Sequence, residues 1–212
     1  MTFPSGDVSI ELEGVLHLPD REGPVPGTVV CHPYPPAGGA MTVPLVQAIA
    51  RAVAEAGIAA LRFNFRGVGA SKGDFDNGQG EVEDVSGAFD WLFSRPDVDP
   101  HRIALVGYSF GALMAMFQAT QNDRHSALAL VGLPLRWNLP LPSCDKRPCL
   151  LVAGDRDQLC PLSDLRRLAL QSRGGARVHI VPGADHFFFG YEAEVASAVR
   201  DFLQETLFAT NA

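Results

Sequence analysis

The stretch that decides the fold is IALVGYSFGALMAM, residues 103–116. Its first four residues have the composition of a buried strand, and the residues from 112 onward that of a helix rich in small side chains. Between them lies the pattern G-x-S-x-G, with Ser109 at its centre and Gly107 and Gly111 on either side. Glycines at these positions let neighbouring backbone pass close to a sharp strand-to-helix turn, which raises the serine hydroxyl away from the sheet. The segment therefore predicts a nucleophilic serine at the end of a strand.

Strand-like and helix-like segments alternate on both sides of this turn. Alternating apolar and polar residues over 8–13 predict a half-buried strand, and we expect residues 15–18, beyond Gly14, to be its hairpin partner. Repeated strand–helix units follow, an order that predicts an α/β fold with a mainly parallel sheet, an N-terminal antiparallel hairpin and helices on both faces. We expect further strands at 28–31, 58–65, 102–106, 127–131, 149–152 and 177–181, and helices at 44–57, 81–93, 112–121, 162–171 and 192–207.

Length and composition fit one globular unit. The chain has 212 residues, of which 47% are hydrophobic and 19% are charged. These proportions are typical of a soluble protein with a large core. No segment has the composition of a linker, so we expect a single domain over residues 1–212. The proline-rich stretch 134–148 is too short for a domain and is a candidate for a short lid.

Charge and cysteine content exclude several classes of function. The net charge of −7, from 24 acidic and 17 basic residues, argues against nucleic acid as a main partner, because phosphate contacts need clustered lysine and arginine. None of the four cysteines lies in a C-x-x-C pair or at zinc spacing from histidine, so the sequence implies no metal. It shows no signal peptide and no apolar run of about 18 residues, so we expect no membrane span and a cytoplasmic location. The oligomeric state stays open.

A histidine must activate the serine, because a hydroxyl is a poor nucleophile until a base takes its proton. Three histidines follow Ser109 in the chain. We expect His125, in a polar turn, to lie at the surface, and His179 to lie inside a strand. His186 lies in a turn-rich loop after the last strand, and loops at the carboxyl ends of parallel strands are where ligands bind. We therefore expect His186 to be the base.

The third catalytic group should be an acid that accepts the histidine Nδ1–H and stabilises the imidazolium that forms during attack. Two aspartates compete for this role in the loop after the strand at 149–152. Asp155 follows Gly154 directly and is better placed to bond loop amides in an Asx-type turn. Asp157 is therefore the expected acid.

Two backbone amides are expected to bind the oxyanion that forms in such a reaction. One is the N–H of Phe110, which follows the serine and opens a helix whose positive end lies at the same place. The other should come from the loop after the strand at 28–31. Prolines at 33, 35 and 36 cannot donate there, so the amide of Tyr34 is the candidate. We expect His32, in the same loop, to shape the loop through hydrogen bonds.

These features together resemble the α/β-hydrolase superfamily, and the resemblance covers nearly the whole chain. Residues 63–71 are similar to the superfamily pattern F-x-x-R-G-x-G-x-S, and residues 183–187 to its G-x-x-H-x loop. The superfamily pattern G-x-x-D-x-x-x-P matches Gly154, Asp157 and Pro161. This match supports Asp157 as the acid.

A closer resemblance is to a group of small serine hydrolases that lack a large cap. They pair an H-P-x-P-x-x-G-G-x-M loop with the patterns R-F-N-F-R-G-V-G-x-S and G-x-G-E-x-x-D, which here are residues 32–41, 62–71 and 78–84. Tyr34 stands where this group frequently has histidine, which leaves the backbone donor in place. Dienelactone hydrolases resemble the architecture, but their nucleophile is a cysteine where this chain has Ser109.

The resemblance implies a serine hydrolase that needs neither a metal nor an organic cofactor. We expect it to cleave small-molecule esters of small or medium acyl groups through an acyl-enzyme. Trp137 and Leu139, in the proline-rich stretch, are expected to cover the acyl group or to cap the core. Two alternatives stay open: action of the same three residues on thioester, amide or C–C bonds, and a non-catalytic binding module on a hydrolase scaffold.

Overall fold

One sheet of eight strands forms the centre of the structure, a computed structural model that describes residues 1–7, 9–137, 147–172 and 174–209. The strands are β1 (Thr2–Pro4), β2 (Glu11–His17), β3 (Val25–Cys31), β4 (Ala59–Phe63), β5 (Val98–Tyr108), β6 (Ala127–Val131), β7 (Cys149–Gly154) and β8 (Ala176–Val181). They lie in the order β1-β2-β4-β3-β5-β6-β7-β8. The first two strands are antiparallel to their neighbours, and every pairing from β4 to β8 is parallel.

Helices cover both faces of this sheet. Those of the described chain are α1 (Pro44–Glu55), α2 (Gln79–Phe93), α3 (Phe110–Gln121), α4 (Leu162–Gln171) and α5 (Glu192–Leu207). Successive strand residues such as Val29 and Val30 point into two different cores. Apolar side chains of α2, α3 and α4 pack into one core, and those of α1 and α5 into the other. The predicted α/β architecture, with a mainly parallel sheet, an N-terminal antiparallel hairpin and helices on both faces, is confirmed.

The N-terminal hairpin is formed by different segments of the chain from those expected. β2 runs without a break through Gly14, and its hairpin partner is β1, where Phe3 pairs with Leu12. A Cβ on Gly14 would lie 2.8 Å from the Phe3 ring, so this glycine marks close packing inside a strand rather than a turn. The predicted pairing of residues 8–13 with residues 15–18 is therefore wrong, whereas the predicted N-terminal antiparallel hairpin is formed by β1 and β2.

The parallel strands all end at one edge, which we call the carboxyl edge. Connections leave this edge after β3, β4, β5, β6, β7 and β8. The segments that carry Tyr34, Ser109, Asp157 and His186 are therefore neighbours in space, although they are far apart in sequence. Within the described ranges, no helix combines the length and the apolar composition that crossing a membrane requires.

Candidate active site

Ser109 lies on the turn between β5 and α3. Its backbone has φ 55° and ψ −117°, a conformation that costs a residue with a side chain on the order of 1–3 kcal/mol. A Cβ on Gly107 would collide with the Gly111 carbonyl oxygen, and one on Gly111 would collide with the Cys31 carbonyl oxygen. The Ser109 N–H donates to the Val131 carbonyl oxygen over 2.8 Å. Both glycines are thus required by close backbone approaches, and the turn is fixed to the end of β6.

Three side chains from three different connections form a hydrogen-bonded chain. His186 Nε2 lies 2.8 Å from Ser109 Oγ, and His186 Nδ1 lies 2.9 Å from Asp157 Oδ2. Because a carboxylate accepts and does not donate, Nδ1 carries the ring proton, and Nε2 is left to accept the serine O–H. All three residues are buried, with 5%, 8% and 5% of Ser109, His186 and Asp157 exposed. The structure brings together the three residues that the sequence selected.

Asp157 is held by its own loop. Its Oδ1 accepts the backbone N–H groups of Leu159 and Cys160 over 2.8 and 2.9 Å, which leaves Oδ2 for the histidine. Asp155 instead accepts the N–H of Gly183 over 2.7 Å. The local turn expected of Asp155 therefore belongs to Asp157. Asp155 ties the loop that carries the acid to the loop that carries the histidine.

His186 is positioned by residues that sequence reasoning missed. The Tyr108 hydroxyl donates to the His186 carbonyl oxygen over 2.9 Å, and the Tyr108 ring packs edge-on against buried Phe188. Gly132, with φ +56°, leaves room for the imidazole, because a Cβ there would lie 3.4 Å from His186 Cε1. Burial raises the pKa of Tyr108, so the hydroxyl remains a donor. Tyr108 is a variable position of G-x-S-x-G, and no local signal marks its role.

The two candidate oxyanion donors lie on neighbouring segments. Phe110 is the first residue of α3, where the backbone N–H has no acceptor within the helix. The loop after β3 packs against this first turn, because the carbonyl oxygen of His32 occupies the space of an absent Gly111 side chain. The rings of Tyr34 and Phe110 are 5.6 Å apart, edge to face. The loop and the helix start are thus in direct contact beside Ser109.

His32 fixes the loop that carries Tyr34. Its Nε2 accepts the Phe65 N–H over 3.0 Å, and its Nδ1 lies 2.7 Å from the Pro33 carbonyl oxygen, so Nδ1 is the donor. Burial lowers the pKa of His32 to about 4, which keeps the ring neutral. The prediction that His32 shapes its loop through hydrogen bonds is confirmed.

The two other downstream histidines lie outside the hydrogen-bonded chain. His125 is 2% exposed and its Nδ1 lies 3.1 Å from the Asn122 carbonyl oxygen, so the expectation that it lies at the surface is wrong. Burial is the main reason why its pKa falls to about 4. His179 lies in β8, as expected, with Nε2 3.7 Å from a carboxylate oxygen of Glu194.

A pocket of about 900 Å³ opens beside Tyr34 and Phe110 and extends between α2 and α3. Its other described lining residues are Phe75, Asn77, Gly78, Gln79, Val82, Leu113, Met114, Phe117 and Gln121. Sequence reasoning instead looked for a pocket in the proline-rich stretch. There Trp137 ends a short 3-10 helix, and Leu139 lies outside the described residues. The prediction missed this pocket because residues of two helices and two loops build it together.

Comparison with known proteins identifies the family to which this chain belongs. The model of the family described as X-Pro dipeptidyl-peptidase (S15 family) matches residues 7–134. The chain belongs to this family and to the α/β-hydrolase superfamily. This α/β hydrolase is 32% identical over 188 residues to an uncharacterized protein of Rickettsia prowazekii, a match that covers 84% of this chain and 78% of that protein.

Solved structures of serine hydrolases share the fold. An α/β serine hydrolase homologue from Coxiella burnetii superposes with a TM-score of 0.84 at 30% identity, and 95% of each chain is covered. An α/β serine hydrolase without lid from Xanthomonas campestris gives a TM-score of 0.83 at 28% identity, covering 99% of this chain and 95% of that one.

Proposed function

We propose that this α/β hydrolase cleaves esters of small or medium acyl groups, first transferring the acyl group to Ser109 and then to water. The observation that carries the proposal is the continuous hydrogen-bonded chain from Ser109 through His186 to Asp157. In it the unprotonated nitrogen faces the hydroxyl and the protonated one faces the carboxylate, as general-base activation requires.

The first half-reaction forms the acyl-enzyme. Ser109 Oγ attacks the ester carbonyl carbon while its proton passes to His186 Nε2, and Asp157 stabilises the resulting imidazolium. The carbonyl oxygen becomes an oxyanion, which the N–H groups of Phe110 and Tyr34 bind. The tetrahedral intermediate then breaks its bond to the alcohol oxygen, which takes the proton from Nε2 as it leaves.

The second half-reaction restores the enzyme. A water molecule attacks the acyl carbon while His186 Nε2 takes one of its protons, and the same two amides bind the second oxyanion. The bond to Ser109 Oγ then breaks, and the proton on Nε2 returns to that oxygen. The products are the carboxylic acid and the free serine.

A second candidate comes from the matched family, whose description is that of a dipeptidyl-peptidase. Such a reaction requires an anionic group near the serine, because the free ammonium of the peptide must be paired when water leaves it. None of the described residues that line the pocket beside Phe110 is charged. This composition favours a neutral acyl group over a peptide amino terminus.

The test is labelling and turnover with matched variants. We expect a fluorophosphonate probe to label the wild type, and p-nitrophenyl butyrate to be hydrolysed at least about 10³-fold more slowly by Ser109→Ala. Asp157→Asn should reduce kcat by about 10⁴-fold, since it favours the wrong histidine tautomer. Ser94→Ala, at an exposed serine directly after the last residue of α2, is the matched control.

Three results would contradict the proposal. Undiminished turnover by Ser109→Ala would reject the nucleophile. A wild type that neither takes the label nor hydrolyses the ester would favour a binding module. Ser109-dependent release of p-nitroaniline from a glycyl-proline anilide, without ester hydrolysis, would favour the peptidase.

A further inference from the structure

We propose that the pocket between α2 and α3 binds an uncharged, medium-length acyl chain while its carbonyl carbon is attached to Ser109. This inference rests on the proposed function and assigns the acyl side of that site. The pocket begins at Tyr34 and Phe110, the two residues whose amides are proposed to bind the oxyanion. An acyl chain that leaves the carbonyl carbon on this side enters the pocket directly.

One stripe of α3 forms the floor of the pocket. Phe110, Met114, Phe117 and Gln121 line it, and they are spaced at i, i+4, i+7 and i+11 on one helix face. Eleven residues of helix span about 16 Å. An extended chain advances roughly 3.5 Å for every three bonds, so about fourteen carbon–carbon bonds fit along the stripe. The stripe therefore has room for all of a medium-length acyl chain.

The opposite wall is also apolar in its middle and polar at its rim. The Phe75 ring lies 5.8 Å from Phe110 and 5.4 Å from Tyr34, and Val82 of α2 completes this wall. Asn77 and Gln79 lie exposed at the rim. A carboxylate or ammonium on the acyl chain would find no counter-charge among the described lining residues, and burying it there would be costly.

The rim of the pocket is held in place by hydrogen bonds to a buried side chain. The buried carboxylate of Glu81 accepts the backbone N–H groups of Asp76 over 2.8 Å and Gly78 over 2.7 Å. Glu81 thereby holds the segment that carries Asn77 and the start of α2. The pocket wall is thus fixed before a ligand arrives, which limits the ordering cost of binding.

The motif at 78–84 explains how this wall is joined to the rest of the fold. Asp84 pairs with Arg66 through Oδ1 and Nη2, 2.8 Å apart, and accepts the Ser5 hydroxyl over the same distance. The Arg66 guanidinium lies where a Cβ of Gly80 would be. The conspicuous glycine, glutamate and aspartate of the motif therefore build the acyl pocket and take no part in the chemistry.

The test uses p-nitrophenyl esters from acetate to myristate, which share one leaving group and whose longest acyl chain reaches the end of the stripe. We expect kcat/KM of the wild type to rise about threefold to fourfold for each methylene buried beyond butyrate, until the rim is reached. Gln121 is exposed at the outer end of the stripe, so its variants should fold. Gln121→Leu should raise the myristate-to-butyrate ratio of kcat/KM about threefold or more, and Gln121→Glu should lower it by a similar factor.

Matched controls come from the next position along the helix. Thr120 is exposed and does not line the pocket, so Thr120→Leu and Thr120→Glu should leave the myristate-to-butyrate ratio unchanged. A second series of butyrate esters with alcohols of increasing length tests the other direction. The Gln121 variants should not alter its chain-length dependence.

The outcomes separate the two proposals. If hydrolysis depends on Ser109 but the chain-length ratio of kcat/KM is the same in the Gln121 and Thr120 variants, the proposed acyl pocket is overturned. The proposed esterase activity is then unaffected. An effect of Gln121 confined to the alcohol series also overturns it, because the pocket would then hold the leaving group. Full turnover by Ser109→Ala overturns the proposal that Ser109 is the esterase nucleophile, and the proposed acyl pocket falls with it.

Discussion

Acidification from pH 7 to pH 5 should weaken the fold through His32, and His32→Gln should remove that part of the loss. The buried His32 ring accepts the Phe65 N–H at Nε2 and donates to the Pro33 carbonyl oxygen at Nδ1. A second ring proton would set two donors, Nε2–H and the Phe65 N–H, against each other. Burial lowers the pKa of His32 to about 4, although the hydrogen bond to the Pro33 carbonyl oxygen raises it.

The sign and size follow from linkage. An unfolded histidine has a pKa of about 6.5, so between pH 6.5 and pH 4 the unfolded chain binds a proton that the native protein does not. Stability is fully present above that window and is lost as the pH falls through it. At pH 5 the loss from His32 is about 2 kcal/mol, and it approaches about 3 kcal/mol below pH 4. His125, whose pKa is also about 4, adds a comparable loss that His32→Gln does not change.

The assay is urea unfolding of the wild type, His32→Gln and the exposed-site control His101→Gln at both pH values. Glutamine keeps an acceptor for the Phe65 N–H and does not titrate. Any effect of the substitution that does not depend on pH cancels, because the measured quantity is the difference in the free energy of unfolding between pH 7 and pH 5 within each protein. The free energy of unfolding of His32→Gln should fall by about 2 kcal/mol less than that of the wild type or the control. Equal losses in all three proteins would refute the reasoning.

Two further predictions concern buried polar groups. Asp84→Asn should lower the free energy of unfolding at pH 7 by about 3–5 kcal/mol, because it leaves the Arg66 guanidinium buried without its carboxylate. Asp90→Asn, which alters an exposed ion pair with Arg124, should cost at most about 1 kcal/mol, and equal losses in the two variants would contradict the argument. Gln118 is 1% exposed, and neither of its amide atoms has a hydrogen-bond partner among the described residues. Gln118→Leu should therefore raise the free energy of unfolding by about 1–3 kcal/mol, and a lower Tm would show that the amide is satisfied after all.

Local patterns were enough to predict the core of the fold. The strand at 127–131 and the helices at 162–171 and 192–207 have the bounds that apolar runs and helical periodicity indicated. Each of these segments contains the signal for its own conformation. The serine turn contains part of its own signal, because Gly107 is required by the Gly111 carbonyl oxygen close by in the chain. Gly111 is required by the Cys31 carbonyl oxygen at the end of β3, which is distant in sequence.

What the sequence did not predict depends on distant partners. Gly14 resembled a turn, and only the Phe3 ring across the hairpin explains it. Tyr108 bonds a carbonyl oxygen 78 residues away, and no spacing announces such a contact. His125 lies in a polar stretch and is nevertheless buried. The pocket between α2 and α3 is the largest omission, because two helices and two loops build it together and no single segment contains its pattern.

The positive φ of Ser109 places two opposing requirements on one residue, since stability favours glycine there and the proposed reaction needs a hydroxyl. Glycine would adopt the same turn with less steric conflict, so a chain shaped by durability alone would have no reason to retain a side chain there. Variants selected for heat resistance should drift toward loss of the hydroxyl unless turnover is demanded at the same time. Under the proposed function, the chain therefore accepts a lower local stability at Ser109 in exchange for a nucleophilic hydroxyl.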